Sequence, residues 1–190
     1  MNKKTGFMML MVLSAFAGGI AVALLQNTSL NVFADDTNSA DNEGIKFTPV
    51  KLPDEIDFAG EPMPLKIADV RERFDRELLV NTYWHSNSFQ LFKNAYRYFP
   101  VIETILKEEG VPDDFKYLAL AESGLKNVVS PSNAVGVWQF LEETGKFYGL
   151  EVNSNVDERY HLEKSTYAAC KYLKQAKEQF GSWTLAAASY

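Results

Sequence analysis

From Met63 to Tyr190 the apolar residues recur every three or four positions, and no run keeps the period of two that a strand needs. Ile67, Val70, Phe74 and Leu78 form one amphipathic stripe, with Arg71, Glu72, Asp75 and Arg76 on the other side. A second helix is expected over Ser88 to Phe99. Pro100 then opens a third, Val101 to Glu109, which Gly110 stops. Pro112, Asp113 and Asp114 precede a fourth that runs to Glu122, with Gly124 as terminator. After a loop, Gly136 to Tyr148 reads as helix, with Gly145 as a weak point. Ser165 to Phe180 is the best patterned, since Ala169, Tyr172, Leu173, Ala176 and Phe180 share a face, and Trp183 to Tyr190 begins another. The expected class is all-α.

Ahead of these helices the chain changes character twice. Lys3 and Lys4 precede an uncharged stretch from Thr5 to Ala34, whose apolar heart runs from Phe7 to Leu25. As a helix that heart spans about 28 Å, close to the hydrocarbon thickness of a bilayer. Cleavable signal peptides have shorter apolar segments, yet Val32-Phe33-Ala34 offers small residues for a peptidase, so residues 1–34 read as signal peptide or membrane anchor. Either way the chain is exported, to the periplasm or cell envelope. Residues 35–64 carry the acidity: eight acids stand against Lys46 and Lys51, and with Pro49, Pro53, Pro62 and Pro64 they read as a disordered linker. The rest, residues 65–190, is close to neutral and forms the globular domain.

Several function classes fall away on composition. The net charge of -6 leaves no basic footprint for nucleic acid. A single cysteine, Cys170, allows neither an intrachain disulfide nor a cysteine-based zinc site, and it reads as a small buried hydrophobe. His85 and His161 lie far apart in sequence, so no metal is expected, and no cofactor.

One residue is chemically out of place. Tyr117-Leu118-Ala119-Leu120-Ala121 is apolar on every side, which marks a helix buried all round, and Glu122 follows in its last turn. The partial negative charge of a helix C-terminus and desolvation both disfavour an ionised carboxyl there. A carboxyl kept protonated near neutral pH suits a general acid, for instance at a glycosidic oxygen. The segment Ser130-Pro131-Ser132-Asn133-Ala134-Val135-Gly136-Val137-Trp138-Gln139-Phe140 follows. Its Trp138, Gln139 and Ser130 would suit a saccharide cleft, with core packing as the other reading of Trp138. Gln139 sits among apolar neighbours, where an amide must find partners.

Glu122-Ser123-Gly124, Ser130-Pro131, Gly136-Val137-Trp138-Gln139-Phe140, Thr144-Gly145, Tyr148-Gly149-Leu150, Val156-Asp157-Glu158-Arg159 and Ala187-Ala188-Ser189-Tyr190 together resemble one family. They are similar, in order, to the catalytic SLT domain of lytic transglycosylases, in particular the membrane-bound lytic murein transglycosylase D group. The resemblance implies a lysozyme-like α-helical fold acting on peptidoglycan. It implies cleavage between N-acetylmuramic acid and N-acetylglucosamine without water, leaving a 1,6-anhydro ring. Glu122 matches the family's single acid/base. Ser123, Ser130 and Gln139 match positions that orient the acid or contact sugar, and Tyr190 matches the tyrosine beside it. The family's asparagine after that tyrosine is absent here, so the domain is expected to be truncated at Tyr190.

A lysozyme-like hydrolase and a non-catalytic glycan-binding module remain as alternatives. A hydrolase would use a second carboxylate, about 5–5.5 Å from the first if retaining or 6.5–9.5 Å if inverting. The candidates are Glu142, Glu143, Asp157 and Glu158, each read as a solvated or ion-paired side chain, with Asp157-Glu158-Arg159 as structural.

Overall fold

The computed structural model describes residues 50–190. In order these form a two-stranded hairpin, β1 (Asp57–Phe58) and β2 (Glu61–Pro62), then six helices: α1 (Ala68–Tyr83), α2 (His85–Glu109), α3 (Phe115–Ser123), α4 (Glu142–Phe147), α5 (Leu162–Phe180) and α6 (Trp183–Ser189). A 3-10 turn, Glu158–Tyr160, precedes α5. The core lies where α5 packs against α2 and α6. It joins Phe99, Ile102 and Leu106 of α2, Phe115, Leu118 and Ala119 of α3, and Ala169, Cys170 and Leu173 of α5. Cys170 is buried there as a small apolar side chain, and burial pushes its thiol up to about 12.

The helical pattern holds, with three corrections. The expected pair Ser88 to Phe99 and Val101 to Glu109 is one continuous helix, α2, with Pro100 inside it. Pro100 removes a hydrogen bond to the Tyr96 carbonyl, but both residues face solvent, Tyr96 being 90% exposed, so water can take that acceptor. Gly110, in the left-handed region at φ 68°, ends α2 as expected.

Of the helix expected over Gly136 to Tyr148, only Glu142–Phe147 is helical. The residues before it fold back on themselves through isolated bridges, Val129 with Val135 and Val135 with Phe140. Gly145 does not break α4. A Cβ there would come within 3.3 Å of the Arg159 side chain, so the glycine lets that side chain pack closely over α4.

The linker expected over residues 35–64 is ordered from residue 50 onward, and the earlier part lies outside the described residues. Its few apolar residues find the core: Phe58 is buried, Leu52, Ile56 and Met63 pack against it, and the Phe58 ring meets Phe115 edge-on at 5.2 Å. Composition alone underestimates such a segment when a neighbouring core offers the burial that it lacks. The stretch Thr5 to Ala34, read as signal or anchor, also lies outside the described residues. Among the described residues no helix is long and apolar enough to cross a membrane.

Candidate active site

Helix α3 sets the site. Its flanks Phe115, Leu118, Ala119 and Leu120 are buried, and Gly124 (φ 62°) closes it in the left-handed region. Glu122 therefore stands in its last turn, half-buried. Desolvation pushes its carboxyl above the usual range. Among the described residues no hydrogen bond or ion pair reaches that carboxyl. It is held by burial and not by partners, the condition under which a carboxylic acid keeps its proton to higher pH.

The neighbouring side chains build a frame around it. Ser123 Oγ donates to the Val137 carbonyl at 2.8 Å and so ties the end of α3 to the Gly136–Phe140 loop. The Gln139 amide nitrogen donates to the carbonyls of Gly136 (2.7 Å) and Val128 (3.1 Å), which leaves its amide oxygen as the remaining acceptor. Gln139 itself sits at φ 50°. Ser130 Oγ accepts from the Ala134 backbone N–H at 3.0 Å and shapes the turn that leads into the loop. Asn94 of α2 donates to the Gly124 carbonyl at 2.8 Å and anchors the segment just after Glu122.

Tyr190, at the end of α6, closes the frame. Its hydroxyl donates to the Trp138 carbonyl at 2.9 Å, and its ring meets those of Tyr172 (4.9 Å), Phe140 (5.9 Å) and Trp138 (6.2 Å). Burial, with the Glu122 charge nearby, holds its phenol well above the ordinary value, so it stays a donor across the neutral range. Trp138 departs from the saccharide-wall expectation. It is 0% exposed and its indole N–H donates to Thr166 Oγ1 at 2.8 Å, so its ring supports Tyr190 from the core and offers no face to a sugar.

Aromatic surface is supplied elsewhere. Glu143, Thr144, Lys146, Phe147, Tyr148 and Tyr172 line an open groove, Phe147 is 73% exposed, and Tyr172 touches Tyr190. Phe147 was not singled out by sequence, and Tyr148 only as part of the Tyr148-Gly149-Leu150 run, without a role in a groove. Their signal was an aromatic pair that no helical core stripe required.

Of the four other candidate carboxylates, three are ion-paired and Glu143 is exposed. Asp157 binds Arg159 through both oxygens, at 2.9 and 2.7 Å, and the Arg159 side chain holds Asp157 below the usual carboxylate range. Glu158 pairs with Lys164 and accepts from the Glu151 N–H. Glu142 pairs with Lys146 along α4, and Glu143 is exposed. Arg159, 7% exposed, also donates to the carbonyls of Asn133 and Phe140, which makes the Asp157–Arg159 run a brace for the site loop. Among the described residues no group of three or more His, Cys, Asp and Glu side chains could hold a metal ion.

Two comparisons bear on this arrangement. Residues 99–190 match the family described as Transglycosylase SLT domain. Over 138 residues the chain is 29% identical to the "Membrane-bound lytic murein transglycosylase D" of Escherichia coli strain K12, covering 70% of this chain, and the same figures hold for the protein of that name in E. coli O6:H1. The chain spans 30% of the length of those relatives.

Proposed function

We propose that this chain, which carries a transglycosylase SLT domain over residues 99–190, is a lytic transglycosylase of peptidoglycan in which Glu122 is the single acid/base. The observation that carries the reading is a half-buried carboxyl, raised by desolvation and free of partners among the described residues, while Glu142, Asp157 and Glu158 are ion-paired and Glu143 is exposed.

The chemistry needs one carboxyl in two states. Neutral Glu122 gives its proton to the glycosidic oxygen as the bond from that oxygen to the muramoyl C1 breaks. The substrate's N-acetyl oxygen supports the positive charge that develops at C1. Ionised Glu122 then takes the proton of the muramoyl 6-hydroxyl, and O6 closes on C1. The proton returns to Glu122, water is neither consumed nor released, and the product is a 1,6-anhydro sugar. Desolvation serves both halves, because it weakens the acid's ionisation and strengthens the carboxylate as a base. Ser123, Ser130 and Gln139 act by holding the Gly136–Phe140 loop against Glu122, and the free Gln139 amide oxygen is the group placed to accept from a sugar hydroxyl or amide. The substrate partner is the peptidoglycan strand, and residues 1–34 would export the domain or tether it to the membrane at the cell envelope.

The test is mass spectrometry of muropeptides released by the full chain from purified peptidoglycan. Products lighter by one water than hydrolysed ones are expected, and Glu122→Gln should abolish them. Hydrated reducing ends would instead establish a lysozyme-like hydrolase. Binding without release by the unsubstituted chain would indicate a glycan-binding module.

A further inference from the structure

The β1–β2 hairpin lies outside residues 99–190, yet it grips the starts of both helices that end at the site. On one side Asp114, just before α3, accepts from the Ala59 backbone N–H at 2.7 Å. On the other, Glu61 Oε1 accepts from the Trp183 N–H at 2.7 Å, while Oε2 accepts from Ser182 Oγ at 2.8 Å and from the Thr184 N–H at 2.9 Å. The Phe115 and Trp183 rings meet edge-on at 5.4 Å between the two grips. From there α3 runs to Glu122 and Ser123, and α6 runs to Ser189 and on to Tyr190.

Helix α6 packs along α5, and small side chains make up most of that contact. Its fully buried side chains are Ala186 and Ala187, which offer little apolar area, so its direction depends on its ends. At the far end Tyr172 donates to the Ser189 carbonyl. At the near end the free N–H groups of the first turn are met by Ser182 and by the Glu61 carboxylate, whose charge also complements the partial positive charge there. A seven-residue helix is about 10 Å long, so the Glu61 cap acts on the same short element that ends at Tyr190.

We infer that Glu61 is a positioning residue for the site: with the Ala59–Asp114 bond it clasps α3 to α6 and thereby keeps Tyr190 seated against Trp138, Phe140 and Tyr172 in the frame around Glu122. The inference rests on the reading of Glu122 as the acid/base. Among the described residues two charged groups lie close to Glu61. Lys177 of α5 lies 3.6 Å away, and Asp57 on the hairpin is turned to the Gly60 N–H.

The test compares Glu61→Ala and Glu61→Gln with Leu78→Ala, a core change in α1 remote from the clasp, in the full chain with detergent. The Glu122 carboxyl is followed by carbon NMR across pH, assigned by its disappearance in Glu122→Gln, and anhydro-muropeptide release is measured in parallel. In Glu61→Ala the Glu122 midpoint should fall toward the ordinary carboxyl value as water reaches it, and release should drop about tenfold or more. Glu61→Gln keeps one acceptor oxygen and should fall between. Leu78→Ala should lower the melting temperature while leaving the midpoint in place. An unmoved midpoint in both Glu61 variants, or an equal shift in Leu78→Ala, overturns the clasp. A shifted midpoint in a protein whose unsubstituted form releases no anhydro product supports the clasp and overturns the transglycosylase reading instead.

Discussion

Burial of the Glu122 carboxyl costs stability, and the sign of that cost is measurable. Its folded pKa lies above the ordinary 4.5, so the ionised form is disfavoured in the folded state, and the fold is weakened at pH values above the ordinary carboxyl range. Glu122→Gln should therefore melt higher than the unsubstituted protein at pH 7, and the gap should close as pH falls below about 4. A lower melting temperature at pH 7 would mean that the carboxylate has partners. Tyr190→Phe removes the hydrogen bond to the Trp138 carbonyl and should lower stability by about 1 kcal/mol in chemical denaturation, with a loss of activity. Gln139 is held in the left-handed region, and its two amide bonds retain the loop in that shape. Trp138 shows why a residue type alone misleads. Its indole suits sugar stacking, but its partner is Thr166 in the core.

Among elements, the Gly136–Phe140 loop depends most on its brace. Gly136 has φ 83°, and a Cβ there would stand 2.1 Å from the Arg159 carbonyl oxygen. Gly136→Ala combines left-handed strain with a backbone clash and should destabilise by about 3 kcal/mol, read from the denaturation midpoint. Arg159→Ala would leave Asp157 without its partner and the carbonyls of Asn133 and Phe140 without their donor. A loss of about 3–5 kcal/mol is expected, with activity falling further than in Leu78→Ala at equal stability. The sequence marked both places, through the Gly136-Val137-Trp138-Gln139 and Asp157-Glu158-Arg159 runs. That they form one unit was not visible, because Arg159 reaches Asn133 across 26 positions.

For the whole molecule, acid unfolding should report the clasp. Desolvation pushes the Glu61 carboxyl up, but the hydrogen bonds from Thr184, Trp183 and Ser182 outweigh it and hold the group at about 2. A depressed carboxyl adds stability that is full above its ordinary 4.5 and lost as pH falls toward 2, and Asp157 acts in the same direction. Circular dichroism against pH should show Glu61→Gln less stable at pH 7 and converging with the unsubstituted protein near pH 2. The sequence by itself determined the helical class, the ends of α2 and α3 at Gly110 and Gly124, and Glu122 as a carboxyl in apolar surroundings. These are local matters of periodicity, backbone freedom and composition along a few turns. Only the tertiary structure decided that Pro100 lies within one helix, that Trp138 belongs to the core, and that a hairpin within an acidic, proline-rich stretch joins the two helices of the site. Each of those depends on the surroundings that the folded chain creates: solvent exposure at Tyr96 and Pro100, Thr166 for the Trp138 indole, and the open first turn of α6 for Glu61.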